Sequence, residues 1–123
     1  MSATGYIVFA HGSRVESAND AVRTVAVGLA RAGGFLHVEA AFLELGQPDL
    51  QGAVNSLIQK GAGRIVVIPY FLTWGLHMER DISRLVEHIS HSHKDLQVTM
   101  TPPLDGHPGL VSVLLDRARS AHF

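Results

Sequence analysis

The stretch at residues 6–14, YIVFAHGSR, runs without a break from an apolar segment into a polar turn. The apolar part, residues 6–10, predicts a buried β-strand, and His11 and Gly12 follow where that strand ends. A second stretch, residues 65–77 (IVVIPYFLTWGLH), carries another histidine beyond another apolar run. In an open α/β sheet, ligands bind outside the carboxyl ends of the strands. His11 and His77 are therefore candidates for one metal or proton-transfer site.

Apolar strand-like segments alternate with amphipathic helical ones along the whole chain. We predict strands at residues 6–10, 36–42, 64–70 and 97–100, and helices at about 17–32, from Pro48 to about 58, 77–90 and 108–120. This alternation indicates parallel strands joined by right-handed crossovers. The predicted fold is a single α/β domain over residues 1–123, a three-layer α/β/α sandwich around a four-stranded parallel sheet of order 2-1-3-4.

Capping residues and apolar periodicity give the predicted helix ends and faces. Ser17 and Asp20 fit a capping arrangement at the first helix, and Gly33 with Gly34 would end it. Pro48 suits the first turn of the second helix. The predicted buried face of the first helix consists of Ala18, Val22, Val25, Ala26 and Leu29.

Composition excludes several classes of protein. The 123 residues carry a net charge of −1 with 46% hydrophobic residues, which gives no electrostatic basis for binding nucleic acid or an anionic membrane. Cysteine is absent, which excludes disulfides and thiol catalysis and is compatible with the cytoplasmic location we expect. No apolar run reaches about 18 residues, and no signal peptide is visible, so we predict no membrane association.

Glu44 follows the second predicted strand, and the predicted strand order places it beside His11. Between Leu43 and Leu45, its carboxylate is either partly buried and suited to proton exchange or an ordinary exposed loop group. His11 is either a metal ligand or general base, or it satisfies a loop carbonyl. Because neighbouring strands lie about 5 Å apart, we expect His11, Glu44 and His77 to converge at one edge.

His77 is predicted to begin the third helix, after a long loop whose backbone N–H groups can hold an anionic ligand. Asp81, four residues on, either orients the His77 ring or is an ordinary acidic residue of the first turn. Alternatively, His77 is a first-turn residue without a functional role, and Trp74 belongs to the core.

The other histidines give a weaker signal. His88, His91 and His93 have a spacing that can chelate a metal, but we favour a solvated helix end beside Lys94. His107, before Pro108, is predicted to cap the last helix.

Familiar cofactor and hydrolase motifs are absent. The chain lacks GxGxxG, GxxxxGK and GxSxG patterns, so we predict no nucleotide cofactor. Ala10 precedes His11 where a histidine phosphatase would carry arginine. From the residues alone, an enzyme, a non-catalytic binding module and a His-dependent phosphatase or hydrolase remain open.

Three elements together resemble the small CbiX-type, SirB-like sirohydrochlorin chelatases, which include cobalto-, nickelo- and ferrochelatases. These elements are HGSR at residues 11–14, FLEL at 42–45 with Gln47 and Pro48, and FLTWGLH at 71–77 followed by Asp81 and Ile82. The resemblance covers nearly the whole chain. Ser83 stands where the family usually has proline.

The resemblance implies insertion of a divalent metal into sirohydrochlorin, with Co²⁺ first and Ni²⁺ or Fe²⁺ as alternatives, in cobalamin- or siroheme-type biosynthesis. It implies catalytic roles for His11, His77 and Glu44, with both histidines binding the metal and His11 also accepting a proton. It also implies a homodimer. The cleft of such a dimer would supply an apolar wall of Phe71, Trp74 and Leu76, and Arg14 and Arg80 are basic residues that could bind the acidic rim of the substrate. The residues implied to touch the tetrapyrrole are Glu44, Phe71, Leu72, Thr73, Trp74, Gly75 and Leu76.

Overall fold

The computed structural model describes residues 3–123, and its helices and strands alternate as predicted. The strands are β1 (Ala3–Ala10), β2 (Val38–Phe42), β3 (Ala62–Pro69) and β4 (Gln97–Met100). The helices are α1 (Glu16–Gly33), α2 (Leu50–Gln59), α3 (Leu76–Ser92) and α4 (Gly109–Ser120). The strands form one parallel sheet of order β2-β1-β3-β4, which confirms the predicted topology.

The two faces of the sheet bury different helices. Side chains alternate between faces along a strand, so Ile7 and Phe9 of β1 join the core beneath α2 and α3. Val8 and Ala10 face the other way and pack with α1. β1 is thus buried on both faces, as expected of a central parallel strand.

α1 differs from the prediction at its start and in its buried face. Its N-cap is Val15, and Ser17 and Asp20 lie inside the helix, where Asp20 accepts a hydrogen bond from Arg23 instead of capping. Its end is as predicted, because Gly34 adopts the left-handed conformation, with φ of 64°, that closes the helix. The buried side chains are Asn19, Val22 and Ala26, while the predicted Ala18 and Val25 are exposed.

Two other predicted boundaries are wrong. Asp49 is the N-cap of α2 and accepts a hydrogen bond of 2.8 Å from the Gly52 N–H, so Pro48 precedes the helix and does not occupy its first turn. β2 begins at Val38, since Leu36 is exposed and pairing with β1 starts only at Tyr6 opposite Val38.

The last helix lies apart from these layers. No residue of α4 is buried, and none belongs to either core cluster among residues 3–123. Within the same residues, none of the helices combines the length and the apolar character that crossing a bilayer requires.

Candidate functional site

The loops that carry the predicted site residues leave the sheet at one edge. Phe9 pairs with Pro69, and the Tyr70 N–H donates a 2.7 Å hydrogen bond to the Phe9 carbonyl. On the other side, Ala10 pairs with Phe42. Strands β1, β2 and β3 therefore end together, at the edge where this architecture holds its ligands.

His11 and Glu44 meet at this edge. The Glu44 N–H donates a 3.0 Å hydrogen bond to the His11 carbonyl, and His11 Nε2 lies 3.4 Å from Glu44 Oε1. The two side chains are 48% and 58% exposed, so the exposed alternative applies to Glu44 and both groups are open to a ligand.

Gly12 allows the two loops to approach so closely. Its φ is 97°, and a Cβ atom built on it would overlap with the carbonyl oxygen of Glu44. Glycine at this position therefore meets both a conformational and a steric requirement.

Both ring nitrogens of His11 face an oxygen acceptor. Nδ1 lies 3.2 Å from the Gly12 carbonyl oxygen, and Nε2 lies 3.4 Å from Glu44 Oε1. Each nitrogen donates to the oxygen that it faces when it carries a hydrogen, and Nε2 can bind a metal ion when it does not. The 3.4 Å between His11 Nε2 and Glu44 Oε1 is the distance expected between two ligand atoms of one tetrahedral metal ion with bonds of about 2.1 Å. The pair can hold either a metal ion or a proton.

Buried Asn19 joins the loop of His11 to the loop of Glu44. Its Oδ1 accepts a 2.9 Å hydrogen bond from the Ser13 N–H, and its Nδ2 donates to the carbonyls of Ser13 (2.9 Å) and Leu45 (3.1 Å). Leu45 is a non-glycine residue with φ of 57°, a conformation that its bond to Asn19 helps to hold. Asn19 is not part of the predicted buried face of α1, although it lies three and seven residues before Val22 and Ala26 on the same side of the helix.

Arg23 also holds the loop between β2 and α2, at Gln47. Its guanidinium donates hydrogen bonds to Glu16 (2.6 Å) and to the Gln47 carbonyl (2.8 Å), and it lies over the Phe42 ring. The hydrogen bond from Arg23 lowers the pKa of Glu16, and the same bond raises the pKa of Arg23. The loop before α2 is thus held on both sides of Leu45.

We expect Asn19→Ala to lower the free energy of unfolding by about 2 kcal/mol, because it leaves partly buried backbone groups of Ser13 and Leu45 without partners. Urea unfolding measures the change. Asn55→Ala is the matched control, since Asn55 is exposed on α2 and alanine suits a helix. Equal stability of the two variants would contradict the role of Asn19.

His77 lies in the first turn of α3, after the N-cap Gly75, and its side chain is exposed. The structure does not bring it into the His11–Glu44 pair: no group of three metal-binding His, Asp or Glu side chains forms within residues 3–123. Asp81 is exposed in the second turn, so the first-turn alternative is wrong for it, and Glu79 is the acidic residue of the first turn.

The loop before α3 turns its aromatic and aliphatic side chains in different directions. Phe71 and Trp74 pack against the larger core, with ring centroids 5.6 Å apart. Leu72 and Leu76 are 64% and 59% exposed, and they give this edge a solvent-facing apolar surface. Thr73 and Gly75, like Arg14 and Arg80, are also exposed.

The second histidine group lies at the opposite end of α3. His88 and His91 are exposed there, as predicted, whereas His93 is half-buried with Nε2 3.3 Å from Gln51 Nε2. His107 accepts a 2.8 Å hydrogen bond from the Gly109 N–H through Nδ1, but the N-cap of α4 is Pro108, so His107, the predicted cap, lies one residue before the observed one.

Comparison with known proteins points to one family. The model of the CbiX family matches residues 5–121. The chain is 29% identical to the sirohydrochlorin cobaltochelatase of Methanopyrus kandleri, with 94% of each chain covered. It is 32% identical to that of Saccharolobus islandicus, with 96% of this chain and 95% of the relative covered. The chloroplastic sirohydrochlorin ferrochelatase of Arabidopsis thaliana is 33% identical over 94% of this chain but only 51% of its own length.

Solved structures share the fold. A CbiX protein from Marinobacter aquaeolei superposes with a TM-score of 0.83 at 23% identity, covering 94% of both chains. The sirohydrochlorin chelatase SirB from Bacillus subtilis subspecies spizizenii, solved in complex with cobalt, gives 0.86 at 21% identity. That match covers 95% of this chain and 50% of SirB, so the chain spans about half the length of SirB. With a family match that extends over nearly all its residues, the chain belongs to the CbiX family.

Proposed function

We propose that this protein is a sirohydrochlorin chelatase that inserts a divalent metal, Co²⁺ first, into the tetrapyrrole. The observation that carries the proposal is the open pair of His11 Nε2 and Glu44 Oε1, 3.4 Å apart at the edge of the sheet. Relatives that are matched over nearly their whole length and named cobaltochelatases favour cobalt over iron or nickel.

Metal insertion is an exchange of one cation for two protons. As M²⁺ bonds to the macrocycle nitrogens, two pyrrole N–H bonds break and their protons leave. The His11–Glu44 pair holds the metal before transfer, and once the metal has left, the freed Nε2 lone pair accepts the two pyrrole protons one after the other. The Glu44 carboxylate stabilises the imidazolium that forms each time and passes each proton to solvent, to which both groups are open.

His77 acts as the second imidazole ligand in this proposal, contributed from the first turn of α3. Imidazole ligands suit Co²⁺, Ni²⁺ and Fe²⁺ alike, and a small ligand set leaves coordination positions for the incoming macrocycle. Leu72 and Leu76 offer an apolar surface to the ring, while Arg14 and Arg80 meet its carboxylates.

The working form in this proposal is a cytoplasmic homodimer. Half-length chains would pair to enclose the substrate, in place of the two halves of a double-length relative such as SirB. A cysteine-free chain is suited to a reducing compartment.

The test is incubation of the purified protein with sirohydrochlorin and Co²⁺, Ni²⁺ or Fe²⁺ under anaerobic conditions, followed by absorbance. We expect insertion well above the protein-free rate, fastest with Co²⁺. Binding of metal or tetrapyrrole without acceleration would instead identify a binding module. Hydrolysis of p-nitrophenyl phosphate without metal insertion would favour the phosphatase alternative.

We expect His91→Ala to leave the rate of cobalt insertion within about twofold of the unchanged protein. His91 lies fourteen residues after His77 on α3, or about 21 Å along the helix axis, and is exposed. A large loss of activity would show that the second histidine group takes part in the reaction.

A further inference from the structure

Little besides its backbone holds the Glu44 carboxylate beside His11. The side chain is exposed, and among residues 3–123 its carboxylate makes one ion-pair contact, to His11 Nε2 at 3.4 Å. A long exposed side chain loses rotamer freedom when it is held in one place, so its position is best fixed through the backbone that carries it. Where the carboxylate lies therefore depends on the conformation of the chain at residues 43–45.

The backbone on either side of Glu44 is held in two different ways. Before it, the Leu43 N–H donates a 2.9 Å hydrogen bond to the Ala10 carbonyl, at the end of β1. After it, the chain turns sharply at Leu45, whose φ is 57°. Leucine disfavours this left-handed region, so a contact from outside the loop is needed to keep it there.

Asn19 supplies that contact from α1. Its Nδ2 donates a 3.1 Å hydrogen bond to the Leu45 carbonyl, and its amide also bonds to the N–H and carbonyl of Ser13, in the loop that carries His11. Asn19 is buried, and the chain fits tightly over it, since a Cβ built on Gly46 would lie 3.0 Å from Asn19 Nδ2. One buried amide thus contacts both loops of the site.

We propose that Asn19 is a positioning residue, which holds the Glu44 carboxylate at ligand distance from His11 Nε2 by keeping Leu45 in its left-handed conformation. Asn19 touches neither metal nor tetrapyrrole and acts only through the two loops. Asparagine suits this role because one short side chain carries both an acceptor and a donor, whereas aspartate cannot donate to the two carbonyls. The inference rests on the proposed function and adds a residue that fixes the geometry of its metal-binding pair.

Cobalt titration without tetrapyrrole tests the positioning role. The signal is the Co²⁺ binding that His11→Ala abolishes, measured where urea unfolding shows each protein to be folded. We expect Asn19→Ala to weaken this binding by ~10–100-fold, the usual effect of removing a hydrogen-bonding partner behind a metal ligand. Gly61→Ala is the control for stability, because it strains a positive φ at the other end of β3, and it should bind Co²⁺ like the unchanged protein. Equal binding by Asn19→Ala and Gly61→Ala overturns the positioning role.

Substitutions at Leu45 separate positioning from stability. Asparagine adopts the left-handed region more readily than leucine, so the double variant Asn19→Ala/Leu45→Asn should bind Co²⁺ at least ~5-fold more tightly than Asn19→Ala. Leu45→Val has a β-branched side chain that resists this region, so it should weaken Co²⁺ binding with Asn19 intact. Leu45→Val decides the question if Asn19→Ala does not fold. A double variant without recovery, or a Leu45→Val protein with normal Co²⁺ binding, contradicts the route through Leu45.

Insertion kinetics distinguish this inference from the proposed function. At a fixed Co²⁺ concentration below the Kd of the unchanged protein, we expect Asn19→Ala to lower the apparent kcat by a similar factor. The KM for sirohydrochlorin should stay within about twofold, because Leu72 and Leu76 offer their apolar surface from another loop. If the unchanged protein inserts cobalt and Asn19→Ala binds and inserts it like Gly61→Ala, the positioning role fails and the chelatase stands. Asn19-dependent Co²⁺ binding in a protein that inserts no metal has the opposite meaning.

Discussion

His11→Ala is expected to reduce the rate of cobalt insertion into sirohydrochlorin by at least ~100-fold. The substitution removes Nε2, which lies 3.4 Å from Glu44 Oε1, and with it one ligand of the metal and the acceptor of the pyrrole protons. Loss of a positioned general base alone typically costs a factor of ~10²–10⁴. Absorbance-monitored insertion with saturating Co²⁺ measures the change.

The same substitution should leave the fold intact. The His11 side chain is half-exposed in a loop, and such positions usually change the free energy of unfolding by no more than about 0.5 kcal/mol. Urea unfolding of His11→Ala therefore separates loss of chemistry from loss of structure, with His91→Ala as the histidine control. Full insertion activity in a folded His11→Ala protein would remove the pair from the mechanism.

His77→Ala should reduce insertion by a similar factor if His77 supplies the second imidazole. Because the structure does not join His77 to the pair, this variant tests the part of the site that only the family resemblance implies. Cobalt titration of His77→Ala in the absence of tetrapyrrole adds an independent measurement, and we expect weaker binding. Unchanged binding together with unchanged activity would exclude His77 from the site.

The strand order and the meeting of His11 with Glu44 could be predicted because both depend on the order of strands and helices along the sequence. Apolar runs separated by helical spacers indicate a parallel sheet, and residues that follow neighbouring strands come to the same edge. The weakly apolar start of β1, Ala3–Gly5, was missed, since only its pairing with β3 makes it a strand.

Features that depend on one side chain finding one partner could not be predicted in the same way. Asn19 is polar and would ordinarily be exposed, so the apolar pattern placed Ala18 and Val25 on the buried face instead. Three loop partners, the Ser13 N–H and the Ser13 and Leu45 carbonyls, decide its burial.

Gly12→Ala is expected to be the most destabilising single substitution proposed for the site, at about 3–4 kcal/mol. An alanine at φ of 97° costs about 1–2 kcal/mol by itself. The added Cβ must also displace the Glu44 carbonyl. This displacement strains the hydrogen bond from the Glu44 N–H to the His11 carbonyl and moves the Glu44 carboxylate away from the His11 imidazole. Urea unfolding gives the stability and metal insertion gives the activity, and both should fall together.

Gly61→Ala is the control that separates the cost of the positive φ from the cost of the Cβ overlap at Gly12. Gly61 has almost the same φ, 95°, but a Cβ built there meets no atom within 4 Å. We therefore expect Gly61→Ala to cost only the conformational part, about 1–2 kcal/mol, and to keep full activity in the folded protein. The excess loss in Gly12→Ala then measures how tightly the two loops must pack to hold His11 against Glu44. If the two alanine variants lose equal stability and keep equal activity, the close approach of the loops is not what brings the pair together.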